Sequence, residues 1–94
     1  MRHVLPIDTI DERADGVAIT LKLFGGFRRH LPADSEGHAC EIEVPRGSTP
    51  GHILAHFDVP TEGAVVLVNG LTAGLDRPLE AGDVLAAFPS LAGG

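Results

Sequence analysis

The sequence predicts an α+β fold, in which a mixed sheet of four to five strands carries one main helix across one face. Four segments show the alternation or the short apolar run of a strand, and a capped helix start lies between the second and the third. Glycine, proline and asparagine residues separate these segments. Two strands, a crossover helix and then further strands make a mixed sheet with the helix on a single face.

The first two strands are predicted from alternation. In residues 17–24 the odd-numbered side chains are apolar and share one face, and residues 39–44 alternate in the same way. Gly25-Gly26 bends the chain after the first strand. Residues 1–16 show no sustained period, so we interpret them as a loosely held N-terminal extension, which places the folded domain at 17–89.

The helix is predicted from its start. Ser48 or Thr49 can cap it, and Pro50 occupies the first helical position, where its missing N–H has no effect. Ile53, Leu54 and Phe57 form the apolar face of this short helix.

The last two strands are an apolar run over 64–68, which ends at the reverse turn Asn69-Gly70, and residues 84–88. Pro89 stops the final strand, and residues 90–94 are expected to form a flexible tail. This element order is the outline of a β-grasp fold, which by itself identifies no function.

The composition is that of one small domain with one modest core: 94 residues, 44% hydrophobic and 21% charged. The longest apolar runs are far shorter than the ~20 residues that cross a bilayer, and the first residues do not form a secretory signal. We therefore expect a cytoplasmic protein with no membrane partner.

The charge of the chain argues against nucleic acid as a partner. Thirteen acidic residues outnumber seven basic ones, for a net charge of −6. Nucleic-acid binding needs clustered lysine and arginine, whereas the basic residues here are scattered apart from Arg28-Arg29, which we interpret as a solvated pair. A protein with a basic docking groove is the better candidate.

Metal or cofactor binding is not expected. Cys40 is the only cysteine, which excludes an intramolecular disulfide and a four-cysteine cluster, and its inward position predicts a small core residue. His52 and His56 have the spacing of two metal ligands on a helix, but no other residue has the spacing of a third and fourth.

The most specific signal lies in residues 82–94. A Gly-Asp turn leads into the last strand, a Phe-Pro step follows at Phe88-Pro89, and the sequence ends in Gly93-Gly94. This arrangement resembles the C-terminal signature of the ubiquitin-like sulfur carriers, namely the small subunit of molybdopterin synthase and the thiamin sulfur carrier. The resemblance spans about residues 17–94, and Phe88-Pro89 brings it closer to the molybdopterin synthase subunit. Val84 and Ser90 depart from that family's usual residues.

The resemblance implies a carrier, not an enzyme, whose reactive group is the carboxylate of Gly94. In that family an E1-like adenylyltransferase joins the carboxylate to AMP from ATP. A sulfur donor such as a desulfurase or rhodanese then displaces AMP and leaves a thiocarboxylate, which gives its sulfur to an acceptor synthase subunit. Leu91, Ala92 and Gly93 would thread the end into these partners, because glycine has no Cβ to obstruct a narrow channel.

Phe88 and Pro89 are the candidate docking residues. If Leu85 and Ala87 face the helix, Phe88 lies on the opposite face of the sheet, beside the tail, where an aromatic side chain would anchor a partner. The alternative is that Phe88 closes the end of the core.

Several functions remain open at this point. The first is sulfur transfer in molybdopterin or tungstopterin cofactor synthesis. The second is the same chemistry for thiamin, cysteine or an accessory pathway. A ubiquitin-like modifier would use the same activated terminus to acylate lysines, and a plain β-grasp interaction module would make no use of the glycines.

Overall fold

The computed structural model describes residues 3–4, 16–32, 35 and 37–90. Over these residues the chain forms one sheet, one α-helix, α1 (Pro50–His56), and a 3₁₀ helix (Gly25–His30). The strands are β1 (His3–Val4), β2 (Gly16–Leu23), β3 (Ala39–Pro45), β4 (Val65–Val68), β5 (Leu71–Thr72) and β6 (Val84–Phe88). Their order across the sheet is β1-β3-β2-β6-β4-β5.

The predicted mixed sheet and β-grasp fold are confirmed. β2 runs parallel to β6 at the centre of the sheet and antiparallel to β3, and β4 runs antiparallel to both β6 and β5. Because β2 and β6 are parallel, their last residues, Leu23 and Phe88, lie at the same end of the sheet. No helix in the described part of the chain is long and apolar enough to span a membrane.

The structure adds two short strands to those predicted. His3–Val4 pairs in parallel with Ile42 and Glu43 of β3, and β5 pairs with the end of β4. Gly16, predicted to end the N-terminal extension, begins β2. The rest of the extension, 1–2 and 5–15, lies outside the described residues.

The core lies between α1 and one face of the sheet. Alternate residues of β2 point into it, as the sequence predicted, and Ile53 and Leu54 of α1 are fully buried against them. Cys40 is a small buried member of this core. The other buried apolar residues come from the remaining strands and from loops: Phe27, Ile42, Val44, Val59, Val66, Val68, Leu79, Leu85 and Ala87.

The helix begins as predicted, with Thr49 as its cap and Pro50 in the first turn. The Thr49 hydroxyl accepts a hydrogen bond from the backbone N–H of His52 (3.2 Å). In return, the Thr49 N–H donates to Nδ1 of His52 (3.4 Å), which completes a capping box. His52 and His56 are both exposed.

A polar network fixes the start of β6 against the β4–β5 turn. Asn69 has a positive φ of 54°, which asparagine tolerates better than most residues. Its amide donates to Oδ1 of Asp83 and accepts from the N–H of Val84, both at 2.9 Å. Oδ2 of Asp83 accepts from the N–H of Glu80 (2.9 Å) and lies 3.5 Å from the Arg77 guanidinium. This network holds the strand that leads to Phe88.

Candidate functional site

β6 ends at the side chain predicted to dock partners. Leu85 and Ala87 are fully buried beneath α1, whereas Phe88 is half-buried and lies outside the core cluster. The strand alternation therefore places Phe88 on the open face of the sheet. Its proposed docking role stays a prediction.

Phe88 belongs to a stack of rings on this open face. The Phe24 ring lies parallel to the Phe88 ring, with 4.4 Å between centroids and 4° between planes. On its other side Phe24 contacts the imidazole of His38 at 4.5 Å. The backbone N–H of Phe24 donates to the Ala87 carbonyl (3.1 Å), which extends the β2–β6 ladder to the stack. The stack is thus held by the two central strands of the sheet, β2 and β6.

Val65 extends the apolar surface. It lies directly opposite Phe88 in the β4–β6 register and is 48% exposed. Phe24, Val65 and Phe88 together are called the aromatic patch below. A partly exposed apolar cluster on the open face of a sheet is typical of a binding surface rather than of a core.

The tail leaves the sheet beside the aromatic patch. Pro89 is half-buried against Gly25, where an added Cβ would lie only 3.1 Å from Cγ of Pro89. Gly25 also has a positive φ of 56°, so its backbone conformation and its closeness to Pro89 both favour glycine. Ser90 lies next to Gly63. Pro89 and Ser90, the tail exit, are therefore positioned by turns from both neighbouring strands.

The remaining candidate residues, Leu91, Ala92, Gly93 and Gly94, lie outside the described residues. In the part that the structure describes, no group of three or more His, Cys, Asp or Glu side chains is arranged to hold a metal ion.

Two residues of the site were missed by the sequence analysis. The alternation predicts Phe24 at the end of the first strand and indicates no role for it, although its even position places it on the open face. His38 follows a polar loop and gives no periodic signal. The available signal was the alternation, which places Phe24 on the same face of the sheet as Phe88 on the neighbouring parallel strand.

Comparison with known proteins agrees with this architecture. The Mut7-C ubiquitin family model matches residues 16–93. Small archaeal modifier protein 1 of Haloferax volcanii is 25% identical, with a TM-score of 0.64 over 81% of this chain and 100% of that one. No curated protein matches the sequence.

Two further solved structures share the fold at lower identity. The Haloferax volcanii HVO 2177 protein is 21% identical, with a TM-score of 0.70 over 95% of this chain and 98% of that one. A Pyrococcus furiosus protein named for subunit 1 of a molybdopterin converting factor is 23% identical, with a TM-score of 0.62 over 80% and 99%. Because the family model spans most of the sequence, this chain belongs to the Mut7-C ubiquitin family.

Proposed function

We propose that this protein is a sulfur carrier whose Gly94 carboxylate is adenylated and converted to a thiocarboxylate. An activating enzyme of the adenylyltransferase class supplies AMP from ATP and releases pyrophosphate. Hydrosulfide released by a sulfur donor then attacks the acyl carbon, AMP leaves, and the C-terminal carbonyl carbon carries sulfur in place of one oxygen. An acceptor synthase finally receives that sulfur.

The observation that carries the proposal is the junction of the aromatic patch with the tail exit. A carrier must be held by its folded body while its end reaches into another protein. Phe88 belongs to the patch and Pro89 begins the tail, so a partner that binds the patch also receives the tail. From Phe88, six residues at ~3.3 Å each reach about 20 Å when extended, enough to enter a buried active site.

The folded domain contributes binding rather than chemistry. Cys40 is buried in the core, and the histidines of α1 lie on the helix rather than on the patch. Small ubiquitin-like carriers are non-catalytic, and this arrangement agrees with that role. Partner enzymes supply the acid, the base and the nucleotide site.

For the pathway, we propose molybdopterin or tungstopterin cofactor synthesis. The support comes from the sequence, where Phe88-Pro89 and the Gly82-Asp83 turn resemble the molybdopterin synthase small subunit. Carriers for thiamin, cysteine or an accessory pathway use the same carboxylate chemistry. The identity of the acceptor enzyme separates these pathways.

The test is to incubate the protein with its cognate activating enzyme, ATP and a sulfide donor. Cleavage before Asp83 releases peptide 83–94, which contains neither methionine nor cysteine, so oxidation cannot imitate sulfur incorporation. The expected product is this peptide with one oxygen exchanged for sulfur, formed only with ATP. An unchanged peptide, in a reaction where the enzyme activates a known carrier, would contradict the proposal.

A second candidate is a ubiquitin-like protein modifier. It is favoured by the family match and by the likeness to a small archaeal modifier protein. A modifier would leave remnants of its own C-terminal peptide on lysines of other proteins, residues 83–94 after cleavage before Asp83, and mass spectrometry of whole-cell protein detects them. A carrier leaves the thiocarboxylate without those remnants.

A further inference from the structure

A corner with two exposed arginines lies beside the tail exit in a chain whose net charge is −6. Arg28 and Arg29 are adjacent and exposed on the 3₁₀ helix that follows Phe24. Gly25, the first residue of the same helix, contacts Pro89. The two guanidinium groups are therefore carried by the segment that positions the beginning of the tail.

These arginines line an open pocket of about 400 Å³ together with Gly25, Leu31, Pro32, Ser35 and Gly37. Arg28 is oriented along the pocket by a long contact from Nη2 to the Gly37 carbonyl (3.5 Å). Within the described ranges neither guanidinium forms an ion pair with a carboxylate, the Arg77–Asp83 pair being at the other end of β6. Asp34 and Glu36, from the same connection, lie outside those ranges.

The hydrogen-bond donors that a ligand in this pocket can reach are the two guanidinium groups. The Ser35 hydroxyl oxygen is inaccessible to solvent and makes no hydrogen bond to any described residue. An acceptor that enters the pocket therefore cannot reach this oxygen, and Ser35 contributes only to the pocket wall. Two exposed guanidinium groups form a donor set that suits a carboxylate, which accepts several hydrogen bonds at once.

His38 joins this corner to the aromatic patch. Its ring lies on Phe24, and it follows Gly37 directly. The pocket thus lies near the surface that the proposed function assigns to docking. A partner that covers the patch brings its own side chains over Arg28 and Arg29.

We propose that this pocket receives an acidic side chain, Asp or Glu, of the activating enzyme, and that this contact helps align the tail with the entrance of the enzyme's active site. This inference rests on the proposed function. It also refines the expectation from net charge: the partner need not be basic where it meets the tail exit, because charges beyond about 8 Å are largely screened at physiological ionic strength. The two arginines can therefore attract an acidic side chain although the carrier as a whole is negatively charged.

The test compares charge variants in steady-state adenylation by the cognate activating enzyme. In Arg28→Glu/Arg29→Glu we expect the KM for the carrier to rise at least about tenfold, with kcat within about twofold, because rim charges act mainly on encounter and docking. Arg28→Lys/Arg29→Lys keeps both charges and should stay near wild type. The defect of the glutamate variant should shrink as salt is raised.

Arg46→Glu is the matched control. Arg46 follows β3 at the opposite end of the sheet, where Pro45 pairs with Gly16, so reversing its charge should leave the KM for the carrier near wild type. Thermal melting of each variant verifies the fold. If the double glutamate variant loses its melting transition, Arg28→Gln/Arg29→Gln takes its place, with a smaller expected rise in KM.

Two results would overturn the inference while the proposed function stands. One is an unchanged KM for the carrier in the folded glutamate or glutamine variants. The other is a rise in the KM for ATP instead, which would mean that the arginines contact the nucleotide. If the wild-type protein is not adenylated at all, the proposed function fails and the inference fails with it.

Discussion

Asp83 joins three parts of the chain through one carboxylate. Burial opposes its ionisation, but the Glu80 N–H, the Asn69 amide and the Arg77 guanidinium more than compensate, so the pKa of Asp83 lies below its ordinary value. Only the ionised carboxylate can accept all of these contacts. Asp83 therefore stabilises the folded protein in its charged form.

Replacing Asp83 with asparagine should lower the free energy of unfolding at pH 7 by about 1 kcal/mol, because a partly buried N–H or amide group then lacks an acceptor. A lowered folded pKa means that the stabilisation is complete above the unfolded pKa of about 3.9 and is lost as pH falls through the folded pKa. The difference in free energy of unfolding between wild type and Asp83→Asn should therefore become smaller below about pH 4. Urea denaturation between pH 7 and pH 3 measures it.

Glu62→Gln is the control for Asp83, because Glu62 is exposed in the turn before β4. It should leave stability at pH 7 nearly unchanged. A constant difference between wild type and Asp83→Asn at every pH would show that the charge of Asp83 has no part in the stabilisation.

Phe88 lies on the open face with its ring against Phe24 rather than in the core. Phe88→Asp should weaken binding to the activating enzyme at least about tenfold, since aromatic anchors dominate interface energies, while the domain stays folded. Titration calorimetry measures the binding, and thermal melting verifies that the variant is folded. Leu71→Asp is the matched control and should bind like wild type, because Leu71 is 73% exposed and pairs with Val68, at the end of β4 away from Val65. Unfolding of Phe88→Asp would assign Phe88 to the core instead.

Alternation in the sequence was enough to place Phe88 on the open face, because Leu85 and Ala87 mark the odd-numbered side of β6 as the side that faces the core. It could not pair Phe88 with Phe24. That contact depends on a parallel pairing between the first and last long strands, which are separated by most of the chain. Pairings of this kind are set by the whole fold and leave no local pattern.

At the scale of elements, α1 is short enough for its first turn to matter. It has seven residues, and isolated helices of this length do not persist in water. Burial of Ile53 and Leu54 holds the helix against the sheet, while Thr49 satisfies the N–H of His52. Stability of this element should therefore depend on both the core and the cap.

Thr49→Ala should reduce the free energy of unfolding by about 1 kcal/mol, because the alanine side chain cannot accept from the N–H of His52. Thr49→Ser keeps the hydroxyl and should restore most of that loss. Urea denaturation followed by circular dichroism gives both values. Equal losses in the two variants would show that the threonine methyl group, not the cap, is responsible.

The long elements could be predicted from the sequence because each has a clear local signal. The pattern of β2, the cap and proline of α1, and the Asn69-Gly70 turn each identified their element. β1 and β5 contain two residues each, which is too few for any periodicity to register. They form because β3 and β4 have backbone N–H and C=O groups that no other long strand pairs with, which is a property of the assembled sheet.

At the scale of the whole molecule, the fold separates two tasks. One face of the sheet is buried by α1 and supplies stability, while the open face carries the aromatic patch and ends at the tail exit. The Asp83 network anchors β6 at the end farthest from that exit. Changes at the tail should therefore affect chemistry without affecting folding.

The most direct measurement of the proposed function varies the terminus alone. Wild type, a variant lacking Gly94 and a variant with one alanine added after Gly94 are compared by pyrophosphate exchange and by the mass of the C-terminal peptide. Adding a residue displaces the carboxylate by up to ~3.6 Å and introduces a Cβ, and a misplacement of about 1 Å can reduce a rate a hundredfold. We expect only wild type to gain AMP and then sulfur, with all three proteins melting alike. Adenylation and sulfur transfer of the extended protein at the wild-type rate, with its added residue still present, would contradict the account.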